Sequence, residues 1–267
     1  MSEGTFVSSR LDLIENRFEE INQLLELARA NTSNTEIYKS LCRSAHILLV
    51  SHFEGIYKDI TKDVIDDLNR NTNFYNLKKV IFYTHARHFI NPTENEKLNT
   101  TLKNRLLDAL KNYDTNLIHE PFIRTDNKNP TPKIIEDILK KFGENNFFKA
   151  LINSRLEIVF ENDQKSSRRE LQIIKKYLYK GVKNYPFTVD KNFFYNQTSL
   201  ELSRETTSLF EEFLNDFLND RHKIVHGQTM NSPKNDREIE DCKIKIEILI
   251  YAFIIVICHA SNPVISL

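Results

Sequence analysis

One stretch near the C-terminus combines an arginine and a histidine that could act together on a phosphate. In the segment NDRHKIVHG, Arg221 and His226 stand with four residues between them. Arginine is always charged, and its planar fork of N–H donors fits phosphate and carboxylate oxygens. Histidine is the side chain best able to transfer a proton near neutral pH. The pair therefore indicates phosphoryl-transfer chemistry.

Arg221 stands at a position where the helix pattern calls for an apolar residue. From residue 205 onward, spacings of three and four mark one helical face, which comprises Phe210, Phe213, Leu214, Phe217, Leu218, Arg221, Ile224 and Val225. A charge on such a face must be paired, or turned toward a polar site or an interface. Gly227 suits the position just past a helix end, which places His226 in the last turn. There the helix dipole favours the charged imidazolium.

The segment RHKIVH, from Arg221 to His226, resembles the R-x4-6-H motif of the HEPN superfamily of small helical domains. The earlier segment LLVSHFEGIYKDI looks like the second core helix of one bacterial branch, with Glu54 in the acidic position. The resemblance covers the outer parts of the chain, roughly residues 9–72 and 198–262. Members paired with nucleotidyltransferase antitoxins often carry a tyrosine two residues after the histidine, where this chain has Gln228. Inactivation by modification of such a tyrosine is therefore not expected.

The resemblance implies an all-α, metal-independent ribonuclease that acts as a bacterial toxin or antiviral defence effector. The 2′-hydroxyl of RNA would attack the adjacent phosphate, while His226 transfers a proton and Arg221 stabilises charge on the phosphoryl oxygens. The products would carry 2′,3′-cyclic phosphate and 5′-hydroxyl ends. In catalytic members the Arg and His of two protomers meet across a dimer interface. We therefore expect a homodimer without cofactor or metal, with an antitoxin or regulatory protein as a candidate partner.

Four further residues are candidates for supporting this chemistry. A carboxylate can hold a guanidinium fork through two hydrogen bonds, so Glu54 is the expected partner of Arg221; the alternative is a solvated surface acid. His222 lies four residues before His226 and shares its helical face, where it either helps to bind phosphate or is simply exposed. Asn219 and Lys223 are candidate RNA contacts, or else solvated neighbours.

A basic helix predicted within residues 165–183 offers a second candidate RNA contact. The candidate RNA-binding cations are Arg168, Arg169, Lys175 and Lys176. Tyr177, Tyr179 and Tyr185 interleave aromatic rings on which bases could stack. The alternative is a solvated helix face.

Two other interpretations stay open. The chain could be a non-catalytic HEPN-type module that binds RNA or a protein. It could also be a regulatory helical protein in which Arg221 makes a buried ion pair and His226 merely caps a helix. The last interpretation predicts that Arg221→Ala destabilises the fold, because a buried partner would be left unpaired.

Composition narrows the class of protein. With 5 Gly and 7 Pro in 267 residues and no strand-like alternation, an all-helical fold is favoured. The formal net charge is +0, so nucleic-acid binding requires a local basic patch. Three scattered cysteines and the absence of an H-E-x-x-H segment argue against a metal site. The N-terminus lacks a signal core, and the apolar run 248–260 is shorter than the about 20 residues of a membrane span. We expect a cytoplasmic protein without membrane contact.

The helix pattern predicts a single domain over residues 1–267. Helices at 9–30, 35–70, 199–226 and 235–260 would form a HEPN-like four-helix core. Residues 74–197 would form a helical insertion or side lobe, with one of its helices over 145–160.

Overall fold

The computed structural model describes residues 4–90, 96–123, 130–161, 163–203, 206–227 and 234–263. Within these ranges the helices are α1 (Phe6–Ala30), α2 (Thr35–Asn71), α3 (Lys79–His88), α4 (Glu96–Asn112), α5 (Pro132–Lys140), α6 (Phe147–Leu151), α7 (Gln164–Gly181), α8 (Leu209–Val225) and α9 (Asp236–Ser261). Short 3₁₀ turns lie at Phe74–Asn76, Arg155–Phe160, Lys191–Phe193 and Gln197–Glu201. The described residues contain no β-strand, so the predicted all-α class is confirmed.

Helix α9 lies at the centre of the protein. Its most apolar 18-residue window has a mean hydropathy of 2.0, and 89% of that window is buried inside the protein. By length and composition alone the whole helix could cross a membrane. The apolar run 248–260, considered by itself, is too short to suggest this. A helix that is apolar all round must be covered on every side. Helices α1, α2 and α7 pack against α9 and supply that cover, so the predicted buried core helix is confirmed.

Helices α2 and α9 run side by side in the same direction. At one end the Tyr38 hydroxyl donates to the Asp236 carboxylate (2.7 Å). Further along, the rings of Tyr57 and Phe253 meet edge to face, with centroids 4.4 Å apart. Both helices therefore begin at the same end of the bundle.

Helix α7 belongs to this bundle, although it lies in the region predicted as an insertion. Near its start Arg168 bonds Glu240 of α9 (2.5 Å). Beyond its end the Tyr185 hydroxyl donates to the carbonyl of Ser261 (3.4 Å). The buried face of α7 joins the same hydrophobic cluster as α1, α2 and α9. We therefore count α7 among the core helices, beside the four that the sequence predicts.

Two predicted helices are much longer than the helices in the structure. The pattern predicts a motif helix from residue 199, but α8 begins at Leu209, because Ser208 and Glu211 form a capping box that starts a helix there. The predicted helix over 145–160 is broken, because Asn153 adopts a φ of 53°. This left-handed backbone cannot continue a right-handed helix, so α6 ends early and a 3₁₀ turn follows.

The start of α1 is anchored by a buried carboxylate from α2. Thr5 is the N-cap, so the helix begins before residue 9, where the pattern predicts its start. The backbone N–H groups of Phe6 and Val7 donate to the two oxygens of Asp67 (2.8 and 3.0 Å), which is 0% exposed. Asp67 thus satisfies two of the N–H groups that every helix start leaves without an intrahelical partner.

A buried histidine joins α2 to α8. The ring of His46 stacks on Phe217 with centroids 4.5 Å apart, and its Nε2–H donates to the Phe217 carbonyl (3.1 Å). Its Nδ1 is buried and has no hydrogen-bond partner among the described residues. The pKa of His46 is lowered to about 4, chiefly by burial, which outweighs the opposing effect of the hydrogen bond to Phe217; Lys234 also lowers the pKa and Asp220 raises it. His46 is therefore neutral at pH 7 and packs as an aromatic ring.

Replacing Asp67 tests the anchoring of α1. We expect Asp67→Ala to lower the free energy of unfolding by about 2 kcal/mol, because two N–H groups lose their acceptor. Urea denaturation measures the change. The matched control is the neighbouring Asp66→Ala, which breaks a half-exposed bond to His119 (2.8 Å) and should cost less than about 1 kcal/mol. Equal losses in the two variants would contradict the capping role.

Acid should weaken the contact between α2 and α8. Because the folded-state pKa of His46 lies below the unfolded value, its contribution is fully present above pH 6.5 and is lost as the pH falls from 6.5 toward 4. The loss should reach roughly 3 kcal/mol. Urea denaturation of wild type and His46→Phe across this range isolates the effect, since other acid-sensitive groups are common to both. His46→Phe should show the flatter pH profile, and exposed His88→Phe should follow wild type; identical profiles for all three would contradict the assignment.

Candidate functional site

The predicted catalytic residues lie at the C-terminal end of α8, where the buried face of this helix reaches the protein surface. That face consists of Phe210, Leu214, Phe217, Leu218 and Ile224. Arg221 extends it and is half-buried, whereas His222 and His226 are exposed. Val225, which the apolar pattern predicts to be buried, is 48% exposed because it lies in the last turn of the helix.

The end of the helix has the geometry that the sequence predicts. His226 is the C-cap, and its N–H donates to the carbonyl of His222 (3.1 Å). Gly227 follows with a φ of 67°, a left-handed conformation that glycine adopts without strain. His226 therefore stands at the negative end of the helix dipole.

His222 and His226 lie against each other. Their ring centroids are 4.2 Å apart and the rings are inclined by 50°, as the spacing of four residues predicts. Two imidazoles at this distance can present N–H groups to one phosphate, and they could also supply two ligands to a metal ion. Within the described ranges, no group of three or more His, Cys, Asp and Glu is arranged to hold a metal.

Arg221 has no electrostatic partner in the described part of the chain. It makes no ion pair or hydrogen bond there, and its Nε is buried and unsatisfied. Glu54, the partner predicted from sequence, instead accepts from Lys58 one turn further along α2 (2.8 Å). The prediction that Glu54 holds Arg221 is therefore wrong. The reading of Arg221 as half of a buried ion pair is also wrong for the described residues.

The directions of the helices explain why Glu54 and Arg221 do not meet. Phe217 lies against His46, and Asp220 accepts from Lys234 (2.7 Å), which directly precedes α9. Because α9 and α2 begin at the same end of the bundle, the end of α8 points toward the start of α2. Glu54 lies two turns beyond His46 in the opposite direction. Neither the stacking of His46 on Phe217 nor the Asp220–Lys234 bond has a local signal in the sequence.

Of the other predicted neighbours, Asn219 is exposed and Lys223 is loosely held. The Lys223 ammonium lies 3.4 Å from Asp220, and 46% of its side chain is exposed. Despite partial burial of the carboxyl, Lys234 and Lys223 lower the pKa of Asp220. Because an exposed pair of this kind contributes little, Lys223 can exchange its carboxylate for a phosphate.

The predicted RNA-binding residues of α7 divide into two pairs. Arg168 bonds Glu240 (2.5 Å), although 57% of its side chain is exposed, and Lys175 bonds Glu15 (2.8 Å), so each of these two cations has an acidic partner on another helix. Arg169 and Lys176 are exposed. RNA binding by these four cations stays a prediction; helical spacing alone does not reveal the acids of α9 and α1 that pair with Arg168 and Lys175.

The rings near α7 are not free to stack on bases. Tyr177 is already stacked on Phe193, with centroids 4.0 Å apart and planes inclined by 3°. The Tyr179 hydroxyl donates to Glu15, and the Tyr185 hydroxyl to Ser261. The predicted role of these tyrosines in base stacking is therefore not supported by the packing.

An open groove of about 430 Å³ lies beside the motif, between α8, α9 and the start of α7. It is lined by Gln164, Phe213, Asp216, Phe217, Lys234, Arg237, Glu238, Asp241, Cys242 and Lys245. Its three cations are matched by three acids, so it carries no net attraction for a polyanion. Neither Arg221 nor either motif histidine lines it.

The chain matches one known protein family. No curated protein and no solved structure gives a significant match to it. The RiboL-PSP-HEPN family model matches residues 12–259. This range contains the R-x4-H segment and also the central region, for which the sequence motifs give no information. The chain therefore belongs to the RiboL-PSP-HEPN family of the HEPN superfamily.

Proposed function

We propose that this protein is a metal-independent endoribonuclease. Family membership indicates an RNA-related function, and the arrangement at the end of α8 supports cleavage as its form. The proposal depends mainly on one observation, the half-buried Arg221 whose side chain makes no ion pair or hydrogen bond within the described residues. A cation with an unsatisfied donor beside two exposed histidines is suited to an anionic ligand. The phosphodiester of RNA supplies such an anion.

The proposed reaction needs only proton transfer and charge stabilisation. One imidazole takes the proton of the 2′-hydroxyl, whose oxygen then bonds to the adjacent phosphorus. The bond from phosphorus to the 5′-oxygen breaks, and that oxygen leaves with a proton from a protonated imidazole. Arg221 donates to the non-bridging oxygens as their charge grows. The products carry 2′,3′-cyclic phosphate and 5′-hydroxyl ends.

The geometry of α8 favours a site built from two copies of the chain. At 3.6 residues per turn, positions 221 and 226 point roughly 140° apart around the helix axis. Arg221 and His226 of one copy therefore diverge, while a two-fold axis beside the motif would bring together groups from both copies. At this end of the bundle Val225 and Ile37 are 48% and 45% exposed, which suits an apolar contact. We propose a homodimer with the motif at its interface.

In the cell, the proposed role is that of a toxin or antiviral defence effector held in check by an antitoxin or another regulatory protein. The alternative is a non-catalytic module that binds RNA or a protein. The engagement of Glu54 with Lys58 favours this alternative, because that carboxylate does not orient Arg221. Toxicity of the intact gene on expression, relieved by His226→Ala, favours the enzyme, whereas harmless expression favours the module.

Cleavage of RNA in EDTA tests the enzyme directly. We expect the wild-type protein to cleave labelled single-stranded RNA and to leave cyclic phosphate ends. His226→Ala and Arg221→Ala should each lower the rate at least about 100-fold, since one loses the proton-transfer group and the other the stabilisation of phosphoryl charge. The matched controls are His88→Ala and Arg105→Ala, which change exposed residues outside the motif and should cleave like wild type. Full activity in both motif variants would refute the assignment.

The stability of an Arg221 variant separates the catalytic from the structural interpretation. We expect Arg221→Met to leave the free energy of unfolding unchanged or to raise it by up to about 1 kcal/mol, because the variant keeps the apolar stem and removes an unsatisfied N–H. Loss of a buried ion pair would instead cost about 3–5 kcal/mol.

Urea denaturation measures this change, with Arg10→Met as the matched control. Arg10 bonds the buried Asp63 (2.6 Å), so its loss should cost about 2 kcal/mol. A comparable loss in Arg221→Met would support a structural role for Arg221.

A further inference from the structure

One face of α7 carries a row of cations that no acidic side chain neutralises. This basic stripe consists of Arg169, Lys176, Lys180 and Lys183, all of which are exposed. Their spacings of seven, four and three residues place the helical members on one side of α7, with Lys183 just beyond its end. None of the four makes an ion pair within the described part of the chain. Lys165 lies near the same face but is left out, because it interacts with Asp163.

The contrast with the neighbouring cations shows that the stripe is a distinct surface. Arg168 and Lys175 lie on the flank of α7 that faces the bundle, and both bond acids of α9 or α1. Arg168 and Lys175 thus have acidic partners on neighbouring helices, whereas the cations of the stripe are exposed and make no ion pair within the described residues. In a chain whose formal net charge is +0, such segregation creates a local positive field.

We propose that the basic stripe binds the phosphate backbone of the RNA without reading its bases. That the ligand is RNA depends on the function proposed above. That the stripe attracts a polyanion depends only on the exposed cations at α7. From Arg169 to Lys183 the stripe spans about 21 Å at 1.5 Å per residue, enough to follow several phosphates. The nearby rings of Tyr177 and Tyr179 are engaged inside the protein. Affinity should therefore come from charge and depend little on base identity.

RNA binding tests this proposal in two variants of equal charge. The stripe variant is Lys176→Gln with Lys180→Gln, and the matched control is Arg168→Gln with Lys175→Gln. All proteins carry His226→Ala so that the RNA stays intact, and wild type is assayed separately for cleavage. Affinity for labelled oligouridylate and oligoadenylate is measured between about 50 and 200 mM salt.

We expect the stripe variant to bind both RNAs about tenfold more weakly at low salt, and its salt dependence to fall by about 1.4 logarithmic units per decade. The control should bind like its parent. An equal loss in both variants would overturn the proposal in favour of a general charge effect, and unchanged binding in both would overturn it outright. Binding to anionic lipid vesicles that only the stripe variant loses, with RNA binding unchanged, would assign the stripe to another surface and also overturn it.

Failure of the stripe proposal can be distinguished from failure of the proposed ribonuclease function. If wild type cleaves RNA and the stripe variant binds it normally, the stripe proposal fails and the ribonuclease stands. If wild type does not cleave but the stripe variant alone loses affinity, the stripe proposal stands and the protein is a binding module.

Discussion

The need to bury α9 on all sides governs the architecture. Every residue of α9 from Ile246 to Cys258 is buried, and this helix loses the free energy of burial wherever a neighbour is missing. Helices α1, α2 and α7 cover it along its length, and the bond between Lys234 and Asp220 holds the end of α8 beside its start. The motif is thereby placed at the end of the bundle where α2 and α9 begin. The position of the Arg221–His226 motif is therefore set by packing of the core helices and not by any contact that the motif itself makes.

At that end of the bundle, the Arg221 guanidinium has no acidic partner among the described residues. The buried Nε of Arg221 has no acceptor among the described residues, while the carboxylates of Glu15, Asp63, Asp220 and Glu240 each pair with a cation from another part of the fold. Pairing is thus the rule for charges between the helices, and Arg221 departs from it. An unsatisfied donor costs stability, and proteins retain such costs most often where function requires them.

Much of the fold can be predicted from the sequence, because helical periodicity reports burial directly. It locates α1, α2 and α9, and the glycine after the motif marks the end of α8. It does not give the start of α8, since residues 199–208 are compatible with a helix until the Ser208–Glu211 capping box is considered. It also misassigns the partner of Glu54, and it does not reveal the acids that pair with Arg168 and Lys175. Those depend on which helices lie side by side, a property of tertiary packing that spacing along one helix does not contain.

The central claim is that Arg221 and His226 promote attack by the 2′-hydroxyl. Its most direct test is cleavage of two RNAs in EDTA, identical except for a single 2′-deoxynucleotide on the 5′ side of the cleaved phosphate. The account predicts that the deoxy substitution abolishes cleavage at that phosphate while binding is retained, because the nucleophile is lost and the backbone charge is not. Equal cleavage of both RNAs, or of neither, would contradict it.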